Sequence, residues 1–414
     1  MFFKKFNISF IVTVCSLQVL LFSGCATNNT KSSTSVGPSL SSSYSDEKGI
    51  NSVQSLPKLD VIIPVFDPGL PQDQDYEDEN IWPEIRRAEA NRFAYKLKEK
   101  LDETEQFGSI RVTPDRTATG DLYILGQIKE SNGEEVEVAI EVIDISNRKW
   151  LDESFDHEVS DAFHKSYRNK GKDSYDPLFE NIATKIIEEL NDHESNELED
   201  LHYLSDIRFG ANFSDSKFMQ YIEIEEDQFK LVSKPSDLDP MFRRVKAIRV
   251  RDQLFIDGLQ SNYASFSSKM NDSYLMWQSQ SLLEIKAKRS ANRKALAQAV
   301  GGAALIGLGV LAAVAGASSR SPATQTASTL GLLAGGVGGA ILIGESFKTS
   351  DEANVHRDTL NELGKSVDLE LAPKVIAFNK KSVELTGNAK EQFMQWRNFL
   401  QKIYSEEKTP DVQL

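Results

Sequence analysis

Histidines and neighbouring carboxylates are the side chains through which this sequence could bind a metal or transfer a proton. The histidines are scattered among polar neighbours, and they are His157, His164, His193, His202 and His356. None belongs to an HxxxH or HExxH pattern, in which two imidazoles one helical turn apart bind zinc. His157 and His164 have a spacing that would place them on one helix face, but no third ligand accompanies them. The spacing therefore indicates surface histidines.

Asp237 and Asp239 are the clearest carboxylate pair, and the Pro240 that follows favours a turn over a catalytic dyad. The sequence has no nucleophile elbow, no phosphate-binding loop and no dinucleotide-binding fingerprint. The glycines at 331–339 follow no predicted strand and have no acidic partner. We therefore predict a protein that is not an enzyme, with no catalytic residue, no metal and no diffusible cofactor.

Cys25 carries the one group for which the sequence suggests a modification. A basic start at Lys4 and Lys5 and an apolar stretch at 8–22 precede it, and together they predict a secretory signal peptide over residues 1–24. A plain signal peptide ends in small residues of the AxA kind, whereas this one ends in Ser-Gly-Cys. Since Cys15 lies inside the predicted signal, the mature chain would keep Cys25 as its sole cysteine and form no disulfide.

The run at 21–25, Leu-Phe-Ser-Gly-Cys, resembles the lipobox of bacterial lipoproteins, although Phe22 stands where that family usually has Leu, Val or Ile. The resemblance implies that the Cys25 thiol is acylated, that the chain is cut before Cys25, and that the new N-terminus is lipidated. It also implies an outer-membrane protein facing the periplasm, because Ala26 stands where Asp would signal inner-membrane retention. The alternative is a free cysteine in an ordinary signal peptide or N-terminal anchor.

The charge of the chain excludes one broad class of function. The formal net charge is −15 at pH 7, so nucleic acid is not an expected partner, because phosphate binding needs a basic surface. A basic run at 286–294 (KAKRSANRK) nevertheless precedes an apolar segment, where it could meet acidic lipid head groups.

Residues 25–57 and 58–190 differ sharply in composition. The first range is rich in Ser, Thr and Asn and poor in large apolar residues, which predicts a flexible tether. The second range has the pattern of a sandwich-like α/β domain, with Asn132-Gly133 as a hairpin signal. Its predicted elements are strands at 58–66, 110–112, 121–128, 136–143 and 149–155 and helices at 85–101 and 178–190.

This order of elements resembles the small periplasmic domain of the curli-secretion lipoprotein and of the N-terminus of the Tol-system β-propeller protein. The matching features are a first strand ending in Pro64, a helix ending near 106–108 (QFG), the strand at 118–128 and the turn at 144–150 (DISNRKW). Asn147 stands where that turn has glycine, and Asn accepts the left-handed conformation. The resemblance implies a fold and a partner-binding role, and no catalytic one.

Two further regions are predicted to be mainly helical. In residues 191–294, apolar residues recur at three- and four-residue steps from Met241 to Lys294, which predicts a helix of about 50 residues, or two collinear ones, with Gly258 as a candidate kink. Residues 348–414 predict a helix at 351–377 interrupted at Pro373, a turn or short strand at 381–387, and a helix at 391–404 that packs on the long helix. Trp150, Trp277 and Trp396 are expected to anchor the core.

Residues 295–347 predict an apolar helical hairpin. The run at 295–317 has one polar residue, Gln298, and no charge, and the run at 326–343 resumes after a polar break. Small residues recur in both runs at four-residue spacing, as ridges that let helix backbones approach closely in lipid. The glycines of these ridges and beside them are Gly307, Gly309, Gly331, Gly335, Gly336, Gly339 and Gly344.

The hairpin resembles the two-helix glycine-zipper segments of small outer-membrane lipoproteins. The resemblance implies membrane contact and self-association. Each run is long enough to span the hydrocarbon layer, and the charges that flank the hairpin place both its ends on one polar side. The alternative is a Gly/Ala hairpin buried in a soluble bundle, although each glycine costs about 1 kcal/mol relative to alanine in a helix.

Together these patterns predict an α+β protein, with an N-terminal α/β domain followed by a mostly helical region that carries a long helix and a glycine-zipper hairpin. The expected function is a non-enzymatic outer-membrane lipoprotein, acting as an envelope scaffold or as part of an oligomeric export or pore assembly. Its expected partners are membrane lipid, further copies of the chain and an unidentified envelope protein. The alternative is a soluble-bodied periplasmic adaptor that binds a protein partner and buries the hairpin internally.

Overall fold

The computed structural model describes residues 56–71, 81–313, 351–378 and 381–406 of the chain. From Leu56 onward the described residues belong to one compact unit. One hydrophobic core cluster includes residues from Leu59 to Ile403. Helices and a mixed sheet build this unit, which confirms the predicted α+β class.

A five-stranded mixed sheet forms the first part of the unit. Its strands are β1 (Val61–Pro64), β2 (Ile110–Thr113), β3 (Leu122–Ser131), β4 (Glu135–Asp144) and β5 (Lys149–Glu158). The spatial order is β2-β1-β3-β4-β5. β1 pairs in parallel with β2 and β3, whereas β3, β4 and β5 form an antiparallel meander. β1 is buried at every position because it lies inside the sheet, which explains its continuous apolar run.

The turns of the meander follow from their residues. Gly133 has a φ of +92° between β3 and β4, a conformation that glycine adopts without steric cost. Asn147 has a φ of +74° between β4 and β5, so the expected left-handed asparagine is confirmed. The predicted turns therefore join the strands of the meander, whose pairing shifts register between Ile128 and Glu130 and again between Val142 and Ile143.

Two amphipathic helices, α1 (Pro83–Asp102) and α2 (Asp176–Asn191), cover one face of the sheet. They meet through Phe93 and Phe179, whose ring centroids lie 5.2 Å apart. Inward-facing residues of β3 and β4 such as Ile124 and Val138 complete this core. The opposite face of the sheet carries the alternating residues of both strands, which are only partly buried.

The predicted long helix is a single element, α5 (Pro240–Ala313), of 74 residues, or about 110 Å at 1.5 Å per residue. Asp239 begins it, because its Oδ1 accepts the N–H groups of Met241 at 2.7 Å and Phe242 at 3.2 Å. Pro240 fits the first turn, where no N–H is needed. The helix passes Gly258 without ending. Asp239 is thus a helix cap, in agreement with the turn interpretation of Asp237 and Asp239.

Between α2 and α5 the chain is less uniformly helical than expected. It forms α3 (Ser195–Ala211), α4 (Asp215–Phe218) and a hairpin of β6 (Ile222–Glu225) and β7 (Gln228–Leu231). Positive φ angles at Glu226 and Asp227 make the tight turn that matches strand twist. The hairpin rests on the sheet domain through Phe229, whose N–H donates to the Ser146 carbonyl at 2.9 Å.

The C-terminal part corrects one expectation. The helix predicted over 351–377 ends early, as α6 (Asp351–Leu363), and the chain then forms a hairpin of β8 (Lys374–Phe378) and β9 (Lys381–Leu385) before α7 (Ala389–Glu406). Gly364 ends α6 in close contact with α1, since a Cβ there would lie 1.9 Å from the Glu84 carbonyl oxygen.

Aromatic packing joins α7 to α5, as predicted. The rings of Trp396 and Phe255 stack at 5.3 Å. Trp277 and Trp396 are buried, which confirms them as core anchors, whereas Trp150 is half-buried.

Most of the predicted zipper hairpin lies outside the described residues. α5 continues through Ala313 and so includes Gly307 and Gly309 in its last turns. The other zipper glycines, Gly331, Gly335, Gly336, Gly339 and Gly344, lie outside the description, as does Cys25. In the part of the chain that is described, no helix combines the length and apolar character needed to cross a membrane.

Candidate functional site

Asp121, at the start of β3, is the centre of a buried polar cluster. Its Oδ2 pairs with His202 Nδ1 at 2.7 Å, and its Oδ1 accepts the Ser205 hydroxyl at 2.5 Å. Arg249 of α5 lies 3.8 Å from Oδ1. The Asp60 N–H donates to Oδ2 at 2.8 Å. We call Asp121, His202, Ser205 and Arg249 the Asp121 cluster; it joins β3 to α3 and α5.

The Asp121 cluster holds the three residue types of a hydrolase triad, but its geometry does not activate a nucleophile. The single proton of the Ser205 hydroxyl has Asp121 Oδ1 and the Gly120 carbonyl as its acceptors, while catalysis needs it to be donated to the imidazole. Ser205 is also fully buried. The cluster therefore acts as a structural clasp.

The charges of the clasp reinforce one another. Burial acts to raise the pKa of the Asp121 carboxyl, but the hydrogen bond and charge of His202, followed by Arg249, outweigh it and hold that pKa below its ordinary value. The same hydrogen bond raises the pKa of His202. Each group of the pair therefore favours the charged form of the other.

A second buried cluster surrounds Glu89 of α1. Its Oε1 accepts the Ser131 hydroxyl at 2.5 Å and the Tyr274 hydroxyl of α5 at 2.6 Å. Arg86 Nε lies 4.0 Å from Oε2. Burial raises the pKa of Glu89 to about 7, against the opposing charge of Arg86. We call Glu89, Ser131 and Tyr274 the Glu89 cluster.

A third group, the Arg92 cluster, consists of Arg92, Asp173, Asn271 and Gln278. Arg92 pairs with Asp173 at 2.7 Å and donates to Asn271 of α5 at 3.1 Å. Gln278 donates to the other oxygen of Asp173 at 2.6 Å. Burial acts to raise the pKa of Asp173, but the Arg92 charge outweighs it and the pKa is lowered. Like the Glu89 cluster, this group binds α5 to the sheet domain.

The last such contact of α5 precedes the apolar run. Arg289 pairs with Glu134 in the turn between β3 and β4 at 2.8 Å and lies 3.6 Å from Glu135. Lys286 pairs with Asp161. Part of the basic run thus contacts the protein's own carboxylates.

α6, the first described helix after residue 313, packs beside α5. His356 of α6 lies 2.9 Å from the Ser273 hydroxyl of α5, and Leu363 lies near Phe266. Since residue numbers rise along α6 as they fall along α5, the two helices are antiparallel. We call this pair the hairpin stem; it joins described residues that precede the predicted hairpin to described residues that follow it.

The partly buried face of the sheet contains a groove of about 620 Å³. Its lining residues come from the ends of β1 and β2 and from the meander, and they include Pro64, Arg116, Leu125, Gln127, Ala139 and Asp152. Lys149 joins the carboxylates of Glu141 and Asp152, each at 2.7 Å. Among the described residues, the lining has no hydroxyl, thiol or imidazole group, so this part of the groove offers a surface for binding and no nucleophile of those kinds.

Of the histidines considered in the sequence analysis, only some lie beside a carboxylate. His202 lies in the Asp121 cluster, and His193 lies 3.3 Å from Glu197. Within the described residues, no group of three or more His, Cys, Asp or Glu side chains is arranged to hold a metal ion.

Sequence reasoning missed the Glu89 and Arg92 clusters. The available signal was the placement of Glu89 and Arg92 beside Ala88 and Phe93, among the apolar positions of α1. A charged pair on such a face indicates buried partners from other segments.

The chain was compared with protein-family models, with curated proteins and with solved structures, and none of the three comparisons gave a match. The resemblances to the lipobox, to the periplasmic domain and to the glycine-zipper segments therefore rest on the sequence motifs quoted above.

Proposed function

We propose that this protein is an outer-membrane lipoprotein, anchored by lipid on Cys25 and facing the periplasm, that acts as a non-enzymatic scaffold in an envelope assembly. In this proposal the sheet domain binds an envelope protein, and the hairpin at 295–347 contacts membrane lipid and further copies of the chain. An oligomeric export or pore assembly fits these roles, because zipper ridges favour close packing between copies.

The hairpin stem is the observation that carries the proposal. The Glu89 and Arg92 clusters fix α5 to the sheet domain, and Arg289 holds it at the turn between β3 and β4. α6 then lies antiparallel to the same helix. This arrangement supports a scaffold in which the stem anchors the chain on both sides of the apolar segment and the sheet face binds a partner.

Processing of Cys25→Ser tests the lipoprotein assignment. The thioether that carries the lipid cannot form on serine, so we expect an unprocessed precursor and no incorporation of labelled fatty acid. Mass spectrometry of the N-terminus and labelling measure this directly, whereas fractionation is a weaker test because the hairpin would still hold some protein at the membrane. Normal processing of Cys25→Ser would show the assignment to be wrong.

The hairpin stem also supports a second function, a soluble-bodied periplasmic adaptor whose hairpin packs against protein. Residues 58–414, expressed without the lipid anchor, separate the two functions by sedimentation with and without detergent. A detergent-dependent oligomer supports the membrane-contacting scaffold. A detergent-free monomer supports the adaptor and excludes the membrane hairpin.

A further inference from the structure

The five-stranded sheet has two edges, β2 and β5, and the long helix closes one of them. Gln260 of α5 places its side-chain amide against β2 as a further strand would place its backbone. Its Oε1 accepts the Val112 N–H at 2.9 Å and its Nε2 donates to the Val112 carbonyl at 2.8 Å. β5 is hydrogen-bonded to β4 alone among the described strands. Within the part of the chain that the structure describes, the open edge of this sheet is therefore β5.

The register identifies which backbone groups of β5 point outward. The Val159 N–H donates to the Glu134 carbonyl at 2.7 Å, and each following opposed pair alternates between bonded and non-bonded. Glu158, Asp156, Ser154 and Asp152 stand in the non-bonded positions, opposite Glu135, Glu137, Ala139 and Glu141. The N–H and C=O groups of these four β5 residues therefore point away from β4.

The side chains of Asp152, Asp156 and Glu158 on β5 and of Glu135, Glu137 and Glu141 opposite them on β4 form an acidic row. Repulsion along this row opposes folding. Asp156 faces Glu137 and Glu158 faces Glu135 across the two strands, and like charges directly opposite each other destabilise a sheet. Lys149 joins Glu141 and Asp152 at one end of the row. Arg289 lies 3.6 Å from Glu135. Among the described residues, Glu137, Asp156 and Glu158 have no ion-pair partner.

We propose that β5 accepts an extended, lysine- or arginine-rich segment of a partner protein as a sixth strand, with its basic side chains at every second position above the acidic row. The outward backbone groups supply the pairing, and the carboxylates supply the selectivity, as in other cases of strand addition. A strand matches because its side chains alternate between faces with the same period as the row. The proposal rests on the partner-binding role proposed for the sheet domain.

A basic peptide fits the row better than a metal ion does. The described residues contain no group of three or more acidic, His or Cys side chains placed to hold a metal. The carboxylates are instead spread along a strand of ten residues. A chain with one cation at every second residue matches that spread.

Binding of a labelled ten-residue peptide of alternating Lys and Thr to the full mature protein, measured by fluorescence anisotropy, tests the proposal. We expect saturable binding that weakens as salt rises. A peptide of the same composition with its lysines contiguous is the control and should bind at least about tenfold more weakly. Equal binding of the two peptides would reduce the interaction to general charge attraction and overturn the proposal.

N-methylation of the peptide tests backbone pairing without changing the protein. Only alternate N–H groups of an added strand point toward its neighbour. We therefore expect methylation of one alternate set to abolish binding and methylation of the other set to be tolerated. Tolerance of both sets would exclude strand addition.

Substitutions on β5 and β4 locate the site. Ser154→Pro removes an outward N–H that the sheet does not use and should abolish binding, with Ser154→Thr as the matched control. Glu137→Gln combined with Asp156→Asn should weaken binding about three- to tenfold and reduce its salt dependence. Thermal unfolding of each variant checks its fold, and the double variant should be no less stable, since it relieves repulsion. Unchanged binding by a folded double variant would contradict the proposal.

The labelling of Cys25 is measured on the same preparations. A lipidated protein that binds no alternating peptide would overturn the β5 proposal and leave the lipoprotein assignment in place. An unlipidated protein that binds the alternating peptide selectively would overturn the lipoprotein assignment and leave the β5 proposal in place.

Discussion

Glu89 is a fully buried carboxyl group whose one nearby counter-charge among the described residues, Arg86, donates no hydrogen bond to it. Its neighbours Ser131 and Tyr274 donate hydrogen bonds to one oxygen, and Arg86 stands 4.0 Å from the other. Burial therefore raises its pKa to about 7. The protonation of Glu89 is linked to the contact between α1 and α5.

Glu89→Gln should remove a pH dependence of stability. The pKa of Glu89 is about 7 in the folded protein, which exceeds its pKa in the unfolded chain. At pH values between these two pKa values the folded protein binds more protons than the unfolded chain does. The free energy of unfolding therefore falls as pH rises through this range and levels off above about pH 7. We expect Glu89 to contribute a loss of about 3 kcal/mol in unfolding free energy between pH 5 and pH 8. Glutamine keeps the oxygen that Ser131 and Tyr274 donate to, so the variant should lack this loss.

Urea unfolding at several pH values measures this effect. Glu84→Gln, on the same helix but half-exposed, is the matched control and should keep the wild-type pH dependence. The Asp121 cluster adds to the total, because the raised pKa of His202 gives stability that is lost as pH rises through it. The difference between wild type and Glu89→Gln isolates Glu89. Parallel pH curves for the two would contradict the assignment.

The buried clusters show why single residues were hard to predict. Asp121 was part of a recognised strand motif, but its partner Arg249 comes from another predicted region of the chain. Arg92 and Asn271, which share a hydrogen bond, are 179 residues apart. Local patterns report which face of an element is apolar, and they do not report which distant side chain neutralises a charge on that face.

At the scale of elements, Gln260 is the contact by which α5 closes β2. Gln260→Ala removes both hydrogen bonds to Val112 and leaves the backbone N–H and C=O of Val112 unsatisfied. We expect a loss of about 1–3 kcal/mol in unfolding free energy and a stronger tendency to aggregate through the exposed edge.

Asn262→Ala is the control, because its side chain makes only a 3.4 Å bond within α5 and should change stability by less than about 0.5 kcal/mol. Urea unfolding gives the two free energies, and light scattering follows aggregation. Equal effects of Gln260→Ala and Asn262→Ala would show that the edge is closed by other means.

The elements themselves were largely predictable where their patterns are long. The alternation in β3 and β4 and the Asn132-Gly133 turn predicted the meander, and the spacing after Met241 predicted α5. The turn or short strand predicted at 381–387 includes β9. Its partner β8 and the pairing of the two were missed, because strands of five residues are too short to distinguish a period of two from a helical one. The short β6–β7 hairpin was missed for the same reason.

At the scale of the whole molecule, the predicted assembly depends on the zipper glycines. Gly335→Leu adds a branched side chain between Gly331 and Gly339, where helix backbones are predicted to meet, and should separate them. It also improves helix propensity by about 1 kcal/mol, so a purely local effect would stabilise. We expect loss of oligomers, measured by crosslinking and size exclusion in detergent.

Leu332→Ala lies off the predicted ridge and should leave the oligomer nearly intact. If Gly335→Leu assembles as wild type does and is equally or more stable, the zipper hypothesis is wrong.

The hydrogen bond between Trp82 Nε1 and Asn361 joins residues 279 positions apart, and Arg397 reaches Thr119 across 278. Contacts of such separation make folding slow, because the entropy of closing long loops is lost before the contacts form. A chain that crosses a membrane N-terminus first would expose the sheet domain well before α6 and α7 emerge to complete it. If the chain is exported as proposed, we therefore expect the body to complete its fold only after nearly the whole chain has crossed, and limited proteolysis before that point should cut the sheet domain.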